Sequence, residues 1–394
     1  MEKKLGLYIH IPFCEHKCDY CDFYSITKFD DYVRYTDSLL LQMEDFSEKA
    51  SDYVVNTIYI GGGTPTAIPV KRMLEIIDGI YRNFKVDEKV EFTMEANPAT
   101  VNKKMLKKYY KAGVNRISFG MQSAIDEELA SLSRIHSFDE FANSYNIAKQ
   151  AGFENINVDI MYGIPGQTQR SLGYTLEQVC DLKPTHISLY GLKIEEGTPF
   201  FEKKDKLDLP DEDTEFEMYK YAVDYLRFRG YWQYEISNFS KDGFKCKHNL
   251  KYWNCQEYLG FGPAAHSYFD NHRFSYKRSV PMFMDALEYV DAGIDILEED
   301  YDITPEERVD EYIMLKLRLA EGLNVNEFKY NFNKDFSQMF EKELKLYIEN
   351  GFMEFKNGNY YFTTKGMYVS NYILSTFMTC ESDITKNIAK GLDK

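Results

Sequence analysis

The stretch Tyr8-Ile-His-Ile-Pro-Phe-Cys-Glu-His-Lys-Cys-Asp-Tyr-Cys21 decides how this chain is read. Cys14, Cys18 and Cys21 stand at C-x3-C-x2-C spacing directly after a β-like run, residues 6–11. Three thiolates on one short loop can converge on a single inorganic centre. A closed structural zinc site takes four protein ligands, so zinc would need His10 or His16 as the fourth. A four-iron cluster held by three thiolates keeps one iron open to another ligand. A disulfide with a spare thiol is the remaining alternative, and it suits an intracellular chain poorly.

Composition narrows the class. A chain of 394 residues with 44% apolar content has room for two or more domains. Asp plus Glu (63) outnumber Lys plus Arg (47), and the net charge of −16 argues against non-specific nucleic-acid binding and polybasic membrane docking. The opening Met-Glu-Lys-Lys-Leu-Gly carries no signal-peptide apolar run, and no stretch approaches the ~18 apolar residues of a membrane span. Seven cysteines, three of them clustered, fit a reducing compartment and a metal centre, so the expected location is the cytoplasm.

Over residues 1–200, β-rich runs alternate with helical patterns, the mark of parallel βα units. Strands are expected at 7–11, 56–60, 90–95, 115–119, 157–161 and 186–190, with helices at 31–49, 70–83, 102–112, 138–151 and 169–180. Six such strands predict an α/β fold, a partial (β/α)6 TIM-like barrel with its chemistry at the C-terminal strand ends. Several motifs fall there. Gly61-Gly62-Gly63-Thr64-Pro65 follows the second strand, and bare glycine N–H groups let a ligand approach the backbone. Glu95 ends the third strand, Gln122 ends the fourth, and Arg134 follows on the next segment. A surface charge or a solvated ion pair is the bland reading of Glu95 and Arg134. Asp159 lies in a strand that reads as buried, where an unpaired carboxylate is costly.

The cysteine string, with Tyr20 before its third cysteine, resembles the radical S-adenosylmethionine (SAM) superfamily, in the branch of oxygen-independent coproporphyrinogen III oxidase and the haem chaperones. That resemblance implies a [4Fe-4S] cluster on Cys14, Cys18 and Cys21. It also implies SAM contacts from Tyr8, Tyr20, Phe23, Gly62, Gly63, Thr64, Glu95, Gln122, Arg134 and Asp159. Within that branch the oxidase extends the cluster motif by a fourth cysteine, where this chain has Phe23, and carries a longer segment before the cluster than the 13 residues here.

Residues 201–296 form a connecting region with a second informative stretch, His248-Asn249-x-x-Tyr252-Trp253. Imidazole is a good axial ligand for haem iron, and aromatic rings can lie on the macrocycle. A histidine inside a packed aromatic cluster, or a zinc site from Cys246, Cys255 and His248, is the alternative. The stretch matches the H-N-x-x-Y-W motif of the haem chaperones and implies haem binding at His248, Asn249, Tyr252 and Trp253, with His266 and Cys255 as weaker ligand candidates.

Residues 297–394 read as a separate winged-helix-like α+β unit. Helices are expected at 304–320, 324–330 and 335–350, then a hairpin at 352–363 turning at Asn357-Gly358 and a closing helix at 365–375. Its third helix mixes Glu341, Lys342, Glu343 and Lys345, so no basic face offers itself to DNA. The resemblance thus implies a haem chaperone that passes haem to apo-haemoproteins, respiratory enzymes first, with transient peripheral membrane contact, a homodimer as one arrangement and no nucleic acid. The alternative is a radical SAM decarboxylase acting on coproporphyrinogen.

Overall fold

The computed structural model describes residues 2–27 and 31–379. Six parallel strands lie side by side in chain order: β1 (Lys3–Ile11), β2 (Tyr53–Gly62), β3 (Val86–Ala96), β4 (Arg116–Gln122), β5 (Asn155–Tyr162) and β6 (His186–Gly191). Between them run α1 (Tyr32–Ser47), α2 (Val70–Asn83), α3 (Lys103–Lys111), α4 (Asp126–Ser131), α5 (Phe138–Ala151) and α6 (Gln169–Leu182). The strands are buried on both faces, as parallel strands under helices must be. Local signals set the helix ends. Ser137 with Glu140 and Thr168 with Ser171 form reciprocal caps at the starts of α5 and α6, and Gly152 closes α5 in the left-handed conformation.

The barrel wall is longer than six strands. After α7 (Pro199–Glu202) and α8 (Glu212–Phe228), the chain folds back as antiparallel β7 (Trp232–Gln233) and β8 (Asn238–Ser240) beside β6. Next comes α9 (Lys247–Trp253), and the chain then crosses to the opposite edge. There β9 (Tyr258–Phe261) pairs parallel with β1, followed outward by β10 (His266–Phe269) and β11 (His272–Tyr276). After α10 (Val280–Glu288), residues 297–302 form β12 (Leu297–Asp302), the last strand of this sheet, paired with β11. Residues 201–302 therefore complete the barrel sheet at both of its edges.

The C-terminal unit opens with α11 (Pro305–Leu317), capped by Thr304 with Glu307. Two further helices, α12 (Val325–Phe332) and α13 (Phe336–Met339), lead to α14 (Glu341–Glu349) and a three-stranded sheet containing the hairpin Met353–Lys356 and Asn359–Phe362. The expected 335–350 helix breaks at Phe340, which leaves helical geometry (φ −126°, ψ 32°). Phe336 and Phe340 then both reach Phe377, at ring separations of 5.7 and 5.2 Å, and packing overrides helix continuity.

The seam that brings β9 against β1 leaves no space at Gly262. Its φ is +95°, its N–H donates to Gln42 Oε1 at 2.9 Å, and a Cβ would lie 2.5 Å from Tyr35 Oη. Tyr35 in turn donates to the His10 carbonyl at 2.7 Å. Gly262→Ala is expected to lower stability by about 1–3 kcal/mol, read as a reduced urea midpoint at constant m-value.

Candidate functional site

The cysteine loop leaves β1 at the C-terminal end of the barrel and is gripped from several sides. Gly63 N–H donates to the Ile11 carbonyl and Thr64 N–H to the Phe13 carbonyl, both at 2.8 Å. A Cβ on Gly63 would sit 2.8 Å from the Phe13 carbonyl oxygen, so only glycine allows this approach. Cys14 N–H donates to the Ile26 carbonyl at 2.9 Å, closing the loop on itself, and Phe200 N–H holds the Asp19 carbonyl at 3.1 Å. Cys14 Sγ lies 3.5 Å from Thr64 Oγ1, and Arg134 donates to Cys18 Sγ at 3.6 Å. Burial pushes the Cys14 thiol up and the Cys21 thiol up to about 11.

These three thiols on one loop fit a polynuclear cluster better than zinc. His10 is already committed, sharing Nδ1 with Tyr8 Oη at 3.0 Å and Nε2 with the Tyr24 carbonyl at 2.9 Å, and His16 is exposed. All six described cysteines are free thiols. Among the described residues no three His, Cys, Asp or Glu side chains gather around a single ion.

Above the loop the strand ends converge. Glu95 accepts from Tyr59 Oη at 2.8 Å and from Gly62 N–H at 3.1 Å. Burial raises its carboxyl to about 7, against the lowering effect of those two bonds. Asp159 accepts from Asn157 Nδ2 at 2.7 Å and Ser118 Oγ at 3.3 Å; burial raises it and these donors pull it back. Gln122 is held at φ +71°, with a register shift in β4 beside it, the kind of local strain that marks functional positions. Arg134 donates to the Gly120 carbonyl at 2.6 Å and also hydrogen-bonds Tyr20. Tyr8, Tyr20, Gly62, Gly63, Thr64, Glu95, Gln122, Arg134 and Asp159 thus come to one end of the barrel. Phe23 stands apart, 72% exposed.

The stretch from His248 to Trp253 lies elsewhere. It forms α9 and plugs the barrel at the N-terminal ends of the strands, opposite the cysteines. His248 is 1% exposed, and both ring nitrogens are engaged: Nδ1 with Thr57 Oγ1 at 2.9 Å and Nε2 with Tyr252 Oη at 2.8 Å. Its backbone N–H donates to buried Glu91 at 3.0 Å, and Cys246 Sγ donates to the same carboxylate oxygen at 3.6 Å. Burial drives the imidazole down to about 3, so it is neutral. Trp253 is half-buried, with the Arg318 guanidinium 5.9 Å from its ring centroid, and Asn249 is half-buried on the same helix. The expected haem-ligating histidine is therefore a floor residue. Each ring nitrogen faces a protein partner, and an axial bond through either would require breaking the hydrogen bond of that nitrogen. The zinc alternative fails likewise, since His248 and Cys246 are both spoken for. His266 sits on β10, half-exposed beside Glu299 at 3.5 Å.

Sequence reading missed the residues that join floor to site. Tyr59 lies with its ring 5.4 Å from His248 while its hydroxyl holds Glu95. Arg116, Asn157 and His186 line the lumen, the last two hydrogen-bonded at 2.5 Å. The available signal was period-two polarity inside buried strands: Thr57-x-Tyr59, Glu91-x-Thr93-x-Glu95, Asn157-x-Asp159, His186-x-Ser188.

A partial barrel with a three-cysteine loop, a glycine turn and strand-end carboxylates defines a radical SAM protein. Family models agree: the Radical SAM superfamily matches residues 8–179, and the HemN C-terminal domain matches residues 303–369. The heme chaperone HemW of Bacillus subtilis (strain 168) is 35% identical over 94% of this chain and 98% of that protein. The HemW proteins of Lactococcus lactis and Haemophilus influenzae are 31% and 33% identical, each over 96% of this chain and 98% of the relative. The chain belongs to the HemW heme chaperone family. The solved structure of coproporphyrinogen III oxidase (HemN) from Escherichia coli shares the fold, with a TM-score of 0.83 at 22% identity over 96% of this chain and 91% of that one. Membership implies a [4Fe-4S] cluster and SAM.

Glu95 links site to stability. Its folded pKa of about 7 lies above the ordinary 4.5, so the folded state binds the proton more tightly and loses stability as pH rises between those values. Glu95→Gln is expected to make the cofactor-free protein about 1–3 kcal/mol more stable than the wild type at pH 8. That gain is expected to disappear near pH 4, as measured by denaturant unfolding at both pH values.

Proposed function

We propose that this chain is a haem chaperone that binds a [4Fe-4S] cluster through Cys14, Cys18 and Cys21, holds SAM at the strand ends, and passes haem to apo-haemoproteins. Respiratory enzymes are the first acceptors on this reading, reached from the cytoplasm by transient contact at the membrane, with a homodimer as one arrangement. The observation that carries it is the match along nearly the whole chain to relatives named heme chaperone HemW. Phe23, where the oxidase pattern has a fourth cysteine, points the same way.

The chain's own groups suit an amino-acid-bearing cation. Arg134, fixed by the Gly120 carbonyl, offers a guanidinium to a carboxylate. Glu95 offers a carboxylate oxygen to an ammonium, which lowers its raised pKa on binding. Asp159, preset by Asn157 and Ser118, accepts from ribose hydroxyls, and Tyr20 lies beside the cysteines to cover an adenine. A cluster held by Cys14, Cys18 and Cys21 would keep one iron open for SAM and would supply the one-electron chemistry that radical SAM enzymes use on its sulfonium.

The test is anaerobic haem titration of the reconstituted protein, followed by transfer to an apo-haemoprotein. Saturable binding near one haem per chain, and spectral appearance of the holo-acceptor, is the expected result. Absence of haem binding together with SAM-dependent decarboxylation of coproporphyrinogen would replace this reading with the oxidase.

A further inference from the structure

Helix α9 has a second face. His248 and Lys251 are buried in the barrel floor, whereas Lys247 and Leu250 turn outward. With Trp232 of β7 and with Lys241 and Lys245 of the loop after β8, that outer face borders a groove of ≈ 400 Å³. Asp242 is the only carboxylate among the residues lining it.

The groove sets three lysines against one carboxylate. Among the described residues, Lys241, Lys245 and Lys247 make no salt bridge. Lys241 instead lies 5.3 Å from the Tyr231 ring centroid and Lys245 5.8 Å from that of Tyr234. Partial burial lowers the Lys241 pKa, and the nearby charges of Lys149 and Lys183 add to that effect. Several ammonium groups thus crowd one face of a chain whose net charge is −16. Such crowding costs free energy unless an anion relieves it. Trp232, 58% exposed, and Leu250 add apolar surface to the same concavity.

A cationic rim around an indole fits a ligand with flat apolar faces and carboxylates at one edge. We propose that this groove is where haem is loaded, with its propionates on Lys241, Lys245 and Lys247 and its ring against Trp232. The inference rests on the chaperone reading and moves the cargo from the H-N-x-x-Y-W histidine to the opposite face of the same helix. No histidine, cysteine or methionine lines the groove, so the iron keeps its axial positions for the ligands of an acceptor. The concave shape favours a ring-sized ligand over an anionic bilayer, which is met by a protruding surface.

The chain has two tryptophans, Trp232 and Trp253, which makes the groove directly readable. Haem is titrated anaerobically into the full-length reconstituted protein, with absorbance and tryptophan emission followed together. The exposed triple variant K241E/K245E/K247E is expected to weaken haem binding at least tenfold while SAM affinity is unchanged. Trp232→Phe is expected to remove most of the haem-induced quenching. Wild-type haem affinity in the triple variant, with quenching retained in Trp232→Phe, overturns the groove and leaves the chaperone reading standing. A wild-type protein that binds no haem overturns both. Loss of sedimentation with phosphatidylglycerol vesicles, at unchanged haem affinity, reassigns the patch to membrane docking and overturns the proposal.

Discussion

The Glu91 carboxylate is the interaction on which the rest of the barrel depends. It is buried at the start of the lumen, where an unpaired charge would cost several kcal/mol. It is satisfied by the backbone N–H of His248 and the thiol of Cys246, with the buried Arg116 guanidinium as its nearby countercharge. Those contacts exist only when α9 is seated. The seated helix places its N-terminal N–H groups toward a carboxylate, an arrangement its dipole favours. An open six-strand barrel would leave Glu91, Arg116 and His186 facing water from below; with α9 in place they are buried, Glu91 bonded to α9 and His186 to Asn157 and Tyr234.

That floor reaches the cofactor end at Glu95 through one side chain. Tyr59 touches His248 on one side and donates to Glu95 on the other, so the position of α9 and the charge state of Glu95 are physically linked. Glu95 is raised toward neutrality by burial, and its two donors are the Tyr59 hydroxyl and the Gly62 N–H of the glycine turn. The same turn grips the cysteine loop through Gly63 and Thr64. Motif helix, lumen and cluster loop therefore form a continuous set of contacts rather than separate modules.

Much of this was legible in the sequence, and for identifiable reasons. The cysteine spacing, the glycine turn and the strand-end carboxylates are local patterns, and parallel strands with helical partners are periodic ones. His248 is ambiguous in sequence because a histidine flanked by aromatic residues has the same signature whether it binds a metal or packs. Only Thr57 and Tyr252 closing on its two nitrogens distinguish these, and Thr57 is 191 residues away. Strands β7 to β12 were hard to see because they run only two to six residues, too short for alternation to stand out. The acidic segment 298–302 lies in an edge strand whose Glu298, Asp300 and Asp302 face solvent, a pattern that protects sheet edges.

The central claim is that Cys14, Cys18 and Cys21 hold a cluster that leaves one iron open to SAM beside Glu95 and Arg134. The EPR spectrum of the reduced, anaerobically reconstituted protein, recorded with and without SAM, tests it most directly. A [4Fe-4S] signal that changes shape on addition of SAM, and changes less at the same SAM concentration in Arg134→Met, is the predicted result. A signal that SAM leaves untouched, or a protein that assembles no four-iron cluster on these cysteines, would contradict it.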